Sequence, residues 1–221
     1  MRLLFVILFP FISFGQSMFS HEDTLRGSIN KERSWWNVLK YDITIQPDYL
    51  TKTIKGKNTI LFEVVRIDSS MQIDLQSPMK VDSIFLADLK LDYRTNGNVV
   101  LIDFTNHTLK EKFSYITIYF SGQPIEAKNA PWEGGWIWTK DGNGRPWMTV
   151  ACQGLGASSW FPCKDHQSDE PENGSTLTMI ISDTLVGVSN GKLVETKPFS
   201  DGLISTTWMV SNPINNYNII P

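Results

Sequence analysis

Leu39-Lys40-Tyr41-Asp42-Ile43-Thr44-Ile45 alternates apolar and polar residues with a period of two, the pattern of a strand buried on one face. The same alternation recurs along most of the chain. Thr59 to Val65 places Ile60, Phe62 and Val64 on one side, after a predicted turn at Lys55-Gly56-Lys57-Asn58. Met71-Gln72-Ile73-Asp74-Leu75 alternates and stops before Pro78. Further strands are predicted at Val81 to Leu86, Leu89 to Tyr93, Val99 to Phe104 and Phe113 to Phe120. An Asn-Gly hairpin signal lies in Thr95-Asn96-Gly97-Asn98. Beyond the middle of the chain, Thr176 to Ile181, Leu185 to Val188 and Leu203 to Val210 read as three more strands, with turns at Ser189-Asn190-Gly191 and Asp201-Gly202. Outside the amino-terminal segment no stretch holds a convincing helical period. Short strands with turn signals about every 8 to 12 residues predict an all-β fold, an antiparallel sandwich or open barrel. The end, Asn215 to Pro221, looks like the start of another strand, which suggests a chain truncated before its continuation.

Two regions depart from the alternation. Residues 16 to 34 are polar and read as an irregular lead-in to a β-domain over 35 to 221. Before them, Arg2 precedes an almost wholly apolar run from Leu3 to Phe14, and Ser13-Phe14-Gly15 offers small residues before Gln16. That is the pattern of a cleaved signal peptide over residues 1 to 15. It predicts an exported protein, in the periplasm, the outer envelope or outside the cell. The apolar run is shorter than the roughly 20 residues a membrane-spanning helix needs, and no transmembrane segment is predicted; an uncleaved anchor is the alternative.

Composition narrows the function. The 221 residues are 41% hydrophobic with a net charge of -3, and no basic stripe is present to neutralise phosphates, so nucleic-acid binding is not expected. The three histidines, His21, His107 and His166, hold no pair at the i, i+4 spacing of a zinc-binding HExxH helix: His21-Glu22 begins the string, but Leu25 stands where the second ligand belongs. Asp165, Asp169 and Glu170 flank His166, and a solvated acidic loop is the favoured reading over a calcium site, which needs six to eight oxygens. No nucleophile elbow, phosphate loop or dinucleotide fingerprint is present. No catalytic or metal-ligating residue is therefore assigned. The two cysteines, Cys152 and Cys163, are either one disulfide or two buried thiols.

The most distinctive stretch runs from Trp147 to Pro171. It opens as a strand, breaks at Gly154-Leu155-Gly156, and continues through Trp160-Phe161-Pro162-Cys163 into the acidic tail. Five of the eight tryptophans fall between Trp132 and Trp160, either packed in a core or interface or exposed to a ligand. Several strings here resemble the N-terminal domain of the M1-family zinc aminopeptidases, the aminopeptidase N and leukotriene A4 hydrolase group, and especially secreted members from Bacteroidetes-like bacteria. They are Arg26-Gly27-Ser28-Ile29 with Trp35-Trp36 and Lys40-Tyr41-Asp42, Met71 through Gln76, Pro131-Trp132-Glu133-Gly134-Gly135, Ala151 through Ala157, Trp160 through Pro171, and Ser189-Asn190-Gly191.

The resemblance implies a saddle-shaped β-domain packed over a thermolysin-like catalytic domain that carries zinc. It also implies that Gln153, ten residues before Cys163 and followed by Gly154, reaches the active site and holds the free amino terminus of a peptide substrate. A side-chain carbonyl suits an ammonium group, and it sets the distance to the scissile bond. The other reading of Gln153 is a residue that satisfies its own loop. The family's exopeptidase motif and zinc motif are both absent from these residues, so the expected role is a channel-forming domain that is silent by itself. The alternative is a freestanding exported module that binds peptide or glycan through its Trp-rich loops.

Overall fold

A computed structural model describes residues 20–107 and 109–221. The all-β reading holds: strands dominate, and helix is confined to short turns. The largest unit is an eight-stranded sheet of β1 (Trp36–Asp48), β2 (Thr53–Val64), β4 (Lys80–Leu86), β5 (Leu89–Leu91), β8 (Phe113–Gly122), β11 (Ser175–Ser182), β12 (Lys192–Ser200) and β13 (Leu203–Val210), in the order β12-β13-β11-β1-β2-β8-β4-β5. A three-stranded sheet is formed by β3 (Ser70–Asp74), β7 (Val99–Asp103) and β6 (Tyr93–Asn96). A separate hairpin joins β9 (Gly135–Lys140) to β10 (Pro146–Ala151). Among the described residues, the pairings between named strands are antiparallel except β1 with β11, which run parallel, so the sheet is mixed.

Alternation places the core. Val38, Tyr41, Ile43 and Ile45 of β1, Ile60 and Phe62 of β2 and Ile116, Ile118 and Phe120 of β8 are buried with Met71 and Ile73 of β3 and Ile102 of β7. The register of β1 against β2 shifts between Val38 and Lys40. The extra residue of that bulge keeps both Val38 and Tyr41 inward, although they are three apart. Trp35 fills the end of this core against Phe62 and Phe104, at 6.1 and 5.6 Å between ring centroids.

Several local expectations are corrected. Lys55 to Asn58 is not a turn but lies within β2, where a Cβ on Gly56 would stand 2.3 Å from the Thr44 carbonyl oxygen; the glycine permits close strand approach. Leu185 to Val188 forms no strand, and β12 follows it instead. Every residue of β12 is exposed, so no inward face marks it in the sequence. Asn215 to Pro221 does not start a strand: Asn215 caps a 3₁₀ turn at Asn216–Asn218.

The lead-in is not irregular where it is described. It holds α1 (His21–Gly27), with Ser20 and Asp23 forming a reciprocal capping box, and α2 (Lys31–Ser34), capped by Asn30. The apolar segment over residues 3 to 14 lies outside the described residues. Among the described residues no helix is long and apolar enough to cross a membrane.

Candidate functional site

Strand β10 ends at Ala151, and the chain then turns through Gln153-Gly154-Leu155 into a 3₁₀ turn at Ala157–Ser159. The turn closes on itself, since Leu155 N and Gly156 N both donate to the Cys152 carbonyl, at 3.2 and 2.8 Å. Glycine is required at two positions. Gly154 has φ of 73° and Gly156 of 82°, and a Cβ on Gly156 would stand 2.4 Å from both the Arg26 guanidinium and the Asp165 carboxylate. The neighbouring Pro131–Gly135 loop meets the same turn: Gly134 N donates to the Gln153 carbonyl at 3.1 Å, and a Cβ on Gly134 would lie 2.3 Å from that oxygen.

Gln153 and Gly154 are exposed at the rim of a cleft of about 620 Å³. Its walls are α1 (Asp23, Arg26), Asp165 and His166 of the following loop, and Asn215 to Tyr217. The Gln153 backbone is engaged with the Gly134 loop, and among the described residues its side-chain amide makes no hydrogen bond.

Beneath the cleft lies a buried polar network. Arg33, fully buried, pairs with Asp74 at 2.5 Å. Its other contacts include the Ser28 carbonyl at 3.0 Å. Asp74 also accepts from Gln72 Nε2 at 3.1 Å and from Asp165 N at 2.9 Å. Burial pushes the Asp74 carboxyl above its usual range, against the pull of the Arg33 charge. Asp165 then accepts from Ser158 Oγ at 2.6 Å and Ser158 N at 3.2 Å, and Gln76 Nε2 donates to the Leu155 carbonyl at 2.6 Å. Cys163 exchanges two backbone hydrogen bonds with Asp74, at 2.8 and 3.1 Å, which fastens the loop to β3.

The expected solvated acidic loop is corrected by this geometry. Asp169 is buried and paired with Lys164, whose ammonium also donates to the Trp36 carbonyl at 2.7 Å and sits 4.5 Å from the Trp36 ring centroid. Burial lowers the Lys164 pKa and raises that of Asp169, and each opposes the other's shift. Asp165 and Asp169 thus face different partners. His166 Nδ1 accepts from Ser168 N, which leaves Nε2 to donate to the Gly27 carbonyl at 3.3 Å. Among the described residues no three His, Cys, Asp or Glu side chains converge as metal ligands.

Cys152 and Cys163 are buried free thiols. Burial, with the nearby Asp165 carboxylate adding to it, pushes Cys152 up to about 12 and moves Cys163 well above its ordinary value. The tryptophans divide between the two readings. Trp136 and Trp160 are core, 5.9 Å apart between ring centroids, whereas Trp132 and Trp147 are 76% and 57% exposed. Trp147 lines a second, apolar cleft of about 500 Å³ with Met148, Met179 and Val186.

Sequence reasoning missed the contribution of the lead-in. The Ser20-His21-Glu22-Asp23 string is a capping-box signal that marks α1, but nothing in the pattern announces that Arg26 meets the 154–155 turn or that Arg33 pairs with Asp74 of β3.

The family model described as the peptidase M1 N-terminal domain matches residues 37–217. No curated protein matches the chain. Among solved structures it is similar to an M1 zinc metallopeptidase from Deinococcus radiodurans, with a TM-score of 0.69 and 16% identity over 86% of this chain and 42% of that one. A mutant of that enzyme bound to a Tyr-Ser-Ala substrate gives a TM-score of 0.69, 16% identity and coverage of 86% and 43%. Leukotriene A4 hydrolase from Saccharomyces cerevisiae gives a TM-score of 0.62 and 19% identity over 84% of this chain and 28% of that one. At these identities the likeness is one of fold, and the chain spans less than half the length of these structures.

Proposed function

We infer the role of this chain from one premise: it belongs to the peptidase M1 N-terminal domain family. It forms one wall of the substrate channel of a metallo-aminopeptidase, and Gln153 holds the free amino terminus of the peptide. The observation that carries this reading is the exposed Gln153 amide at the rim of a cleft, on a turn whose backbone is tied down on both sides. A fixed acceptor of this kind binds an ammonium group at a defined distance from the next peptide bond.

Among the described residues no donor set for zinc is assembled. His21 contacts Asn96, His166 is engaged with Ser168 and Gly27, and the acidic residues of the 165–169 loop are committed to Ser158, Arg26 and Lys164. The metal and the hydrolytic step belong, in this reading, to a partner catalytic domain. The chain's own contribution is to bind, orient and exclude water on one side of the peptide.

The test is a nuclear magnetic resonance titration of the full chain with tri-alanine and with N-acetyl-tri-alanine. Tri-alanine is expected to shift the Gln153 side-chain amide resonances, the acetylated peptide is not, and Gln153→Ala abolishes the response. Equal responses to both peptides would overturn the amino-terminus assignment. Exposed Trp132 and Trp147 favour the second reading, a peptide or glycan module; shifts confined to their indole N–H signals would support it.

A further inference from the structure

We propose that Arg26, on the lead-in helix α1, is the positioning residue of the Gln153 turn, so that the segment before the β-domain is part of the cleft. The proposal rests on the reading of that cleft given above.

Little apolar packing holds the tip of the turn. Gln153 and Gly154 are exposed, and a Cβ built on Gly154 would meet nothing within 4 Å. Its carbonyls are instead taken by Arg26, whose Nη2 donates to the Leu155 carbonyl, shared with Gln76 Nε2, and whose Nη1 lies 3.5 Å from the Gly154 carbonyl, which has no other donor among the described residues. The same guanidinium stands 3.6 Å from Asp165, which is itself bonded to Ser158 just beyond the turn. A planar fork that spans adjacent carbonyls and a carboxylate fixes direction as well as distance. On the far side Gly134 N holds the Gln153 carbonyl. The turn is thus clamped between α1 and the Pro131–Gly135 loop.

The helix is fastened where the clamp needs it. No residue of α1 is buried, so burial does not seat it. His21 meets Asn96 at its amino end, and three polar contacts reach the carbonyls at its carboxyl end: Gln72 Nε2 to Leu25 at 3.1 Å, Arg33 Nη1 to Arg26 at 2.5 Å, and His166 Nε2 to Gly27 at 3.3 Å. Two of these three donors, Gln72 and Arg33, belong to the buried Asp74 network, which also holds Asp165. One hub therefore sets both the position of Arg26 and the position of what Arg26 grips.

The experiment is amide hydrogen exchange on the full chain, read at Leu155 and Gly156, whose N–H groups close the turn onto Cys152. Arg26→Ala is expected to speed exchange at these two amides about tenfold, the loss of one charge-assisted hydrogen bond, and to weaken tri-alanine binding about as much. Core amides such as Ile60 and the melting temperature stay as in the wild type, because no α1 side chain is buried. Arg26→Lys, which keeps one charged donor, recovers part of the protection. Unchanged exchange at Leu155 and Gly156 in Arg26→Ala overturns the proposal, as does acceleration spread equally over the core. The two readings fail separately: if tri-alanine does not bind the wild type, the amino-terminus anchor falls, while the exchange result still decides the role of Arg26.

Discussion

Replacing Arg33 by methionine removes the cation of a fully buried pair and leaves the Asp74 carboxylate in the interior. Asp74 keeps two donors, Gln72 Nε2 and Asp165 N, but no positive charge. Breaking a buried pair from one side costs about 3–5 kcal/mol, because the remaining charge has lost both water and its partner. The Arg26 and Ser28 carbonyls lose a donor too, but both lie near the surface, where water replaces it at little cost. Against a total stability of about 5–15 kcal/mol, Arg33→Met should move the urea midpoint far, or prevent folding at 37 °C. The double variant Arg33→Met, Asp74→Leu removes both charges. It should recover about half of the loss, the remainder being the unpaired Asp165 N–H and the Gln72 amide. The assay is urea unfolding followed by tryptophan emission, since Trp35, Trp36, Trp136 and Trp160 are all buried. Lys52→Ala, which breaks an exposed pair with Glu126, serves as the control and should cost no more than about 1 kcal/mol. If Arg33→Met costs as little as that control, the network beneath the cleft contributes no organisation and the reasoning fails.

Alkaline conditions should destabilise the protein through its buried thiols. The Cys152 pKa is raised from an ordinary 9.0 to about 12, so above pH 9 the unfolded chain releases a proton that the native chain keeps. Stability is then full below about pH 9 and falls as pH climbs toward 12; at pH 10.5 Cys152 alone removes about 2 kcal/mol, and Cys163 and Tyr41 act in the same direction. Urea midpoints at pH 8 and 10.5 check this, and equal midpoints would contradict it. Iodoacetamide at pH 8 should label neither thiol in the native protein and both after denaturation; stoichiometric native labelling would count against their burial. Gly134→Ala drives a methyl group into the Gln153 carbonyl and should cost about 1–3 kcal/mol with loss of the tri-alanine response, whereas Gly142→Ala, in open space, should change neither. The chain alone should release no amine from aminoacyl-arylamides, with or without added zinc; turnover abolished by a chelator would show that a hydrolytic centre exists on it.

How far the sequence was legible depended on which force shaped each element. Strands β1, β2 and β8 bury one face, and their alternation is visible from Leu39, Ile60 and Phe113 onward; β3 alternates from Met71 in sequence, but its polar Gln72 and Asp74 are buried as well. Strand β12 has no buried face, so Lys192–Ser200 leaves no such trace; its place is fixed by backbone bonds to β13. Strand β9 is dense in tryptophan and reads as an aromatic loop, because its bulk hides the period. At the site, the glycines and Gln153 stood out in the chain. The partners of Asp74, Asp165 and Asp169 did not, since Arg33, Ser158 and Lys164 are ordinary polar residues until the fold removes their water.

The parallel pairing of β1 with β11 carries a consequence for how the chain is made. Asp42 lies beside Thr176, so the middle of the large sheet joins segments 134 residues apart. During synthesis β1 emerges early, zips to β2, and then waits with its other edge bare until β11 leaves the ribosome. Closing so distant a contact is slow, because the chain entropy lost is not repaid until late. Through that interval a growing polypeptide displays an unsatisfied, hydrogen-bonding ribbon, the kind of surface that holdase chaperones shield and that foreign strands invade.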